Sequence, residues 1–397
     1  IVPWELYLAY GDVSVLEENY DCMKKWIAYQ SLPERQNFGL RTVNGTPLPE
    51  ESDLASIPFI QVQQRRGDHL TFDPSTPFIF SATAYAAHVA DLMAKIASIL
   101  GKADDAAAFR TRFEQIRRAF REAWVQKDGS LAYWGEMSKQ EPTSDEDSAP
   151  ICHTRYSNEP GNPHHPSQTA YALAIDFDLM PQETISRTAE CFAQAIADAD
   201  NHLSVGFLGI SHLLPALSKV GRDDLAFRLL EQKGNPGWLY SVINGATTIW
   251  ERWNSYIAET GTFGDVSMNS FNHYSYGAIG QWLYETVLGI RSGEQPDEAG
   301  YRRFRLSPTW GGTLTWAKGR HHSPFGAIAS GWELDGSTVI YRCSVPASTK
   351  ATLTLPAADG PDSVRITAEN GAASRQNGPA NTAVFELEPG SYEFQIG

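Results

Sequence analysis

Near residue 300 the spacing of the apolar residues drops from three or four to two, so this chain must build two kinds of structure in succession. Before the change, Leu16, Tyr20, Met23 and Ile27 mark one helix. Tyr85, Val89, Leu92, Met93, Ile96 and Leu100 mark a second, which Gly101 closes. Phe109, Phe113, Ile116, Phe120 and Trp124 mark a third, ended by the Lys127-Asp128-Gly129 turn. Further helices are predicted over 168–178, 183–200, 208–218, 223–231 and 274–288, an all-α region of about eight helices with no strand run between them. Between Met137 and Pro166 the periodicity is lost in a long polar, Pro-rich loop.

After the change, Phe304–Leu306, Gly312–Lys318, Ala327–Trp332, Val339–Val345, Ala351–Leu355, Ser363–Ala368 and Val384–Leu387 are short, β-branched and often alternating. Asp335-Gly336, Asp359-Gly360 and Asn370-Gly371 punctuate them as turns, which predicts an antiparallel β-sandwich. Gly293–Ala299 reads as the linker, and the expected domains are 1–295 and 296–397. The helices, which show no fixed repeat, are compatible with a bundle, a solenoid or a closed toroid of hairpins.

Composition removes several functions. The net charge is −15, and the excess lies before residue 300, which argues against nucleic acid and anionic membranes as partners. No apolar run approaches the roughly 18–20 residues that cross a bilayer. Cys22, Cys152, Cys191 and Cys343 lack the spacing of a disulfide framework or zinc site. Cys152-His153 and His164-His165 fit no standard metal pattern, so neither metal nor cofactor is expected.

The chemistry concentrates in 236–276, where Ala246-Thr247-Thr248-Ile249-Trp250-Glu251-Arg252-Trp253 precedes Met268-Asn269-Ser270-Phe271-Asn272-His273-Tyr274. Apolar rings around Glu251 would raise its pKa and Arg252 would lower it, the tuning a general base needs. Tryptophan faces suit the C–H surface of a pyranose, with Asn272 and His273 as polar partners at its edge. A core ion pair under an aromatic lid explains the same residues equally well on chemistry alone.

These strings resemble the catalytic domain of bacterial α-L-rhamnosidases of glycoside hydrolase family 78. Val2-Pro3-Trp4-Glu5-Leu6-Tyr7, the Gly67-Asp68 pair, Val205-Gly206-Phe207-Leu208-Gly209 and the closing Tyr301-Arg302-Arg303-Phe304 stand in the family's order. The resemblance implies an (α/α)6 toroid, incomplete at its N-terminus, followed by a β-sandwich. It implies hydrolysis of terminal α-L-rhamnosides with inversion, with a rhamnose-containing glycoside as the partner. By the match Glu251 is the general base, and Trp4, Asp68, His69, Trp253, Asn272 and His273 are sugar contacts. His69 stands where the family commonly has Trp, which exchanges a flat platform for a ring that hydrogen-bonds.

The family's general acid lies in a motif ahead of the Pro-Trp segment, and no such motif occurs in these residues. The chain, which opens Ile1-Val2-Pro3-Trp4 without an initiator Met, is therefore expected to be a piece, inactive alone, with the acid in the missing N-terminal region. A soluble protein of the bacterial cytoplasm or periplasm is expected, and homo-oligomerisation is left open. Two other functions remain: a toroidal hydrolase for a different sugar, and a carbohydrate-binding protein without turnover.

Overall fold

The computed structural model describes residues 1–32, 42–43, 46–47, 68–72, 76–131 and 166–397. Cys152, His153, His164 and His165, the rest of their loop up to residue 165, and Gly67 lie outside the described residues. The chain forms two compact units. One comprises Ile1–Cys22, Lys95–Ala103 and Gly280–Gly397; the other comprises Met23–Ala94 and Asp104–Ile279.

In chain order the helices are α1 (Val2–Tyr10), α2 (Ser14–Gln30), α3 (Phe78–Ile99), α4 (Ala103–Trp124), α5 (Gln168–Asp176), α6 (Ile185–Asp198), α7 (Ile210–Lys219), α8 (Asp223–Leu230) and α9 (Trp238–Ile243). Helices α2 to α8 fall where the periodicity places them, and their marked residues Leu16, Tyr20, Phe113, Ile116, Phe120, Trp124, Phe192 and Ile196 are buried. The stretch 274–288 departs from the single helix predicted for it. It is a 3-10 turn over Ser275–Ala278, one α-turn over Ile279–Trp282 and a π-turn over Leu283–Val287. Gly277 and Gly280 supply no side chain to restrict the backbone to one helix type. Two ribbons, β1 (Thr42–Val43) with β2 (Thr46–Pro47) and β3 (Tyr256–Ile257) with β4 (Thr262–Phe263), interrupt the helical part. Strands of two residues are too short to show an alternation.

In the second unit Phe80 of α3 meets Phe120 and Trp124 of α4 edge-on, at 4.8 and 5.2 Å between ring centroids. Helix α5 is its centre, buried from Gln168 to Ile175. Its first turn is polar because it ties down a loop. The Gln168 amide donates to the His202 carbonyl at 2.9 Å and accepts from the Ser204 N–H at 3.0 Å. Ser167 caps the helix by accepting from the Ala170 N–H.

The first unit holds two five-stranded sheets. Its strands are β5 (Ile290–Ser292), β6 (Arg303–Leu306), β7 (Trp316–Ser323), β8 (Gly326–Asp335), β9 (Thr338–Val345), β10 (Lys350–Pro356), β11 (Val364–Asn370), β12 (Ala373–Gln376), β13 (Thr382–Leu387) and β14 (Gly390–Ile396). The sheet orders are β12-β13-β10-β6-β5 and β11-β14-β9-β8-β7. All pairs are antiparallel except β6 with β10. Between those two strands the chain builds β7 to β9 in the opposite sheet, which supplies the crossover that a parallel pair requires. Alternate residues of β9, β10 and β13 are buried, as the period of two demands. Phe385 and Phe394 meet between the sheets at 5.0 Å.

The stretch Gly293–Ala299, read as a linker, joins β5 to β6 within one sheet. It also receives α1: the Tyr7 hydroxyl donates to the Glu294 carbonyl at 3.0 Å, and the Gly300 N–H donates to the Leu8 carbonyl at 3.0 Å. Proline at the first turn of α1 costs no hydrogen bond, and Gly11, at φ 69°, closes the helix by donating to the Tyr7 carbonyl.

Candidate functional site

Glu251 sits on an irregular segment held by a second one. Its N–H donates to the Ser270 carbonyl at 2.8 Å, and the His273 N–H donates to the Ile249 carbonyl at 2.8 Å. The Thr248 hydroxyl adds a bond to the Phe271 carbonyl. These bonds lock 248–251 against 270–273 without forming a strand ladder. The Ser270 N–H returns to the Glu251 side chain, donating to Oε2 at 2.7 Å. One carboxylate oxygen is therefore fixed by the backbone, which orients the other.

Arg252 does not pair with Glu251. Its guanidinium donates to the Met268 carbonyl at 2.7 Å and to Asp265 at 3.0 Å. Consecutive side chains on non-helical backbone point apart, and Arg252 uses that freedom to tie down the loop before Asn269.

A run of rings adjoins this pair of segments. His273 stacks on Phe207 at 4.9 Å and on Tyr274 at 5.2 Å, and His69 meets Phe207 edge-on at 5.4 Å. Phe207 meets Tyr276 at 5.4 Å; Tyr276 stacks on Trp253 at 3.8 Å; Trp253 meets Trp238 at 5.5 Å. Trp253 is buried and its indole N–H donates to the Val205 carbonyl at 3.0 Å, so it serves the core beneath the site. The Tyr276 hydroxyl donates to the Leu70 carbonyl at 3.3 Å, and burial pushes its pKa far above the usual phenol value, with Asp68 adding to the shift.

Asp68 is buried and fully engaged by the chain. Oδ1 accepts from the N–H groups of Leu208 at 2.7 Å and Gly209 at 3.1 Å; Oδ2 accepts from the Gly206 N–H at 2.8 Å and from the Thr169 hydroxyl. Burial pushes its carboxyl upward and these four donors oppose that shift. The carboxylate gathers the turn that opens α7 and so places Phe207. A side chain at Gly206 would meet the His69 carbonyl oxygen at 2.2 Å and the Thr71 nitrogen at 2.7 Å, so glycine is required where the two segments cross.

The sequence-predicted residues thus fall into groups. Glu251, Asn272, His273 and His69 belong to the segments around the rings, with Asn272 exposed and both histidines half-buried. Asp68 and Trp253 support them from below. Trp4 lies in the other unit, buried against Tyr7 at 5.6 Å, with the Lys95 ammonium 5.7 Å from its ring. Sequence reasoning assigned no role to Phe207, Ser270, Asn269 or Tyr276, although the first three lie inside the motif strings. Asn269 donates to the Ser255 carbonyl at 2.9 Å while its buried Oδ1 has no hydrogen-bond partner. Among the described residues no cluster of three His, Cys, Asp or Glu side chains could hold a metal. None of the described helices is long and apolar enough to cross a membrane.

Known proteins resemble this chain in sequence and in fold. The model of the bacterial α-L-rhamnosidase six-hairpin glycosidase domain matches residues 1–287, and that of the C-terminal domain matches 289–368. An α-L-rhamnosidase of Formosa agariphila is 33% identical, covering 100% of this chain and 38% of that protein. One of Streptomyces avermitilis is 35% identical, covering 100% and 32%. The crystal structure of the Streptomyces avermitilis α-L-rhamnosidase complexed with L-rhamnose superposes with a TM-score of 0.78, at 34% identity over 100% of this chain and 32% of that one. The native Aspergillus terreus enzyme gives a TM-score of 0.72 at 25% identity, covering 100% and 38%. The chain spans about a third of the length of the curated relatives it matches. Toroid followed by β-sandwich is its fold class, and the chain belongs to the bacterial α-L-rhamnosidase six-hairpin glycosidase family.

Proposed function

We propose that the complete protein hydrolyses terminal α-L-rhamnosides with inversion at the anomeric carbon, Glu251 acting as general base. The observation that carries this reading is the anchoring of Glu251 by one oxygen. With Oε2 held by the Ser270 N–H, Oε1 is oriented to take a proton from water as that water attacks the anomeric carbon. Inverting hydrolases place the attacking water between two carboxyl groups about 6.5–9.5 Å apart. No residue of this chain is assigned the role of the acid that protonates the leaving oxygen.

His273 and Asn272 are the proposed polar sugar contacts, with His69 forming part of the adjoining wall. Phe207 backs both histidine rings and limits their rotation. Asp68 and Trp253 are positioning residues in this scheme. The substrate class rests on the relatives, which are named α-L-rhamnosidases, and on the L-rhamnose in the Streptomyces avermitilis complex.

The test is Glu251→Gln in the complete protein. Turnover of 4-nitrophenyl α-L-rhamnoside should fall by about three orders of magnitude or more with an unchanged melting temperature, the general-base share of the rate being at least about 10²–10⁴. Proton NMR of the wild-type reaction should show the β-anomer of rhamnose first. Near-normal turnover in the variant, or α-anomer as first product, would overturn the assignment.

A further inference from the structure

The sandwich carries an open row of side chains that the reaction does not use. Strand β7 is an edge of its sheet and pairs with β8. Its period of two puts Trp316, Lys318, Arg320 and His322 on one face, all exposed, while the residues between them are half-buried. Steps of about 6.7 Å spread the row over roughly 20 Å. Gly331, Ala329 and Ala327 of β8 stand opposite Lys318, Arg320 and His322, so the basic positions border a floor without long side chains. A Cβ at Gly331 would stand 3.0 Å from the Lys318 Cβ and from the Ala317 carbonyl oxygen, so glycine keeps that floor low beside the lysine.

In a chain of net charge −15 this row is a local positive strip. No ion pair engages Lys318 or Arg320 among the described residues. The acids on the same face of β8 lie toward one end: Glu333 is level with Trp316 and is bridged by Arg342 at 2.7 Å, and Asp335 lies beyond it. The Lys318 ammonium sits 5.4 Å from the Trp316 ring centroid, so one cation and one aromatic ring address the same unit of a ligand. Charges on an edge strand hinder pairing with another sheet. A tryptophan that is 58% exposed works against that protection, which leaves recognition as its role.

Cations set in a line suit a chain with repeated anions, whereas a single phosphate calls for donors that converge. A tryptophan beside a lysine suits the apolar face of a pyranose that bears an anionic substituent. Single-stranded nucleic acid stacks successive bases on successive aromatic rings, and this row has one tryptophan. We propose that the outer face of β7 and β8 binds an anionic polysaccharide, with Trp316 against a sugar ring and Lys318 and Arg320 on carboxylate or sulfate groups along the chain. Such binding does not depend on which sugar the Glu251 site takes.

Calorimetric titration of the complete protein with oligogalacturonate, dextran sulfate, neutral dextran and single-stranded DNA tests it. One or both anionic saccharides should bind at least about tenfold more tightly than dextran or DNA, and more weakly in high salt. The saccharide that binds identifies the anion as carboxylate or sulfate. Lys318→Gln combined with Arg320→Gln should weaken that binding by at least about tenfold; Trp316→Ala should do the same, and Trp316→Phe should retain most of it. All these side chains are exposed, so melting temperatures should not change. Failure of both anionic saccharides to bind, binding undiminished in the double variant or in Trp316→Ala, or DNA bound as tightly as the saccharides overturns the site.

Discussion

In the β-sandwich, backbone polar groups are satisfied by regular ladders and the side chains divide by parity into core and surface. Around Glu251 the backbone is irregular, and side chains do what a ladder would: Asp68 collects three N–H groups, Arg252 and Asn269 hold carbonyls, and the Ser270 N–H holds the base. A ladder distributes its load over many equivalent bonds. The site concentrates it on a few side chains, each with no substitute. Substitutions at the site should therefore cost activity, with or without stability, whereas substitutions in the sandwich should cost stability alone.

Glu251→Gln gives the largest expected effect, an activity loss of orders of magnitude with stability intact. Next comes Asp68→Ala, which strands three N–H groups, two of them buried, and the Thr169 hydroxyl. It should cost about 3–5 kcal/mol in urea unfolding and abolish turnover as well, since Phe207 loses its turn. A soluble, stable and active Asp68→Ala protein would break the contrast. Leu353→Ala in the fully buried middle of β10 should cost about 2–5 kcal/mol while the folded fraction keeps normal kcat and KM.

His88 sharpens the contrast through pH. It stacks on Phe177 at 4.1 Å, and burial pushes its pKa down to about 4, with His212 adding to the shift. The unfolded chain, with a histidine pKa of about 6.5, binds a proton that the folded chain refuses between those values. Stability is then full above about pH 6.5 and falls by up to about 3 kcal/mol as the pH drops toward 4. Thermal melts of His88→Gln should show a flatter acid limb. The smallest effect belongs to Arg342, which bridges Glu333 at 2.7 Å and Glu393 at 2.6 Å on the exposed face of the sandwich. Arg342→Ala should cost under about 1 kcal/mol, and less in high salt.

Legibility follows the same division. Periodicity locates α2 to α8 and most strands, because burial there repeats along the chain. It misses α1 and α9: α1 is short and rich in aromatic residues, and α9 has only six residues. It misses β14, whose alternation in Gly390-Ser391-Tyr392-Glu393-Phe394-Gln395-Ile396 is clear, but whose first residue is the glycine of the Pro389-Gly390 pair, read as punctuation. For the site, motif strings single out Glu251 and His273, yet the bonds that orient them come from distant segments. Phe207 lies far from His273 in sequence and in ring contact with it in space, a relation that local spacing does not encode.

The last strand carries a consequence of its own. Gly390–Ile396 is an interior strand, paired with β9 on one side and β11 on the other. Proteolytic trimming from Gly390 onward would bare two adhesive edges at once and remove Phe394 from between the sheets. Aggregation, rather than a gentle loosening, is the fate to expect of a molecule that loses this strand.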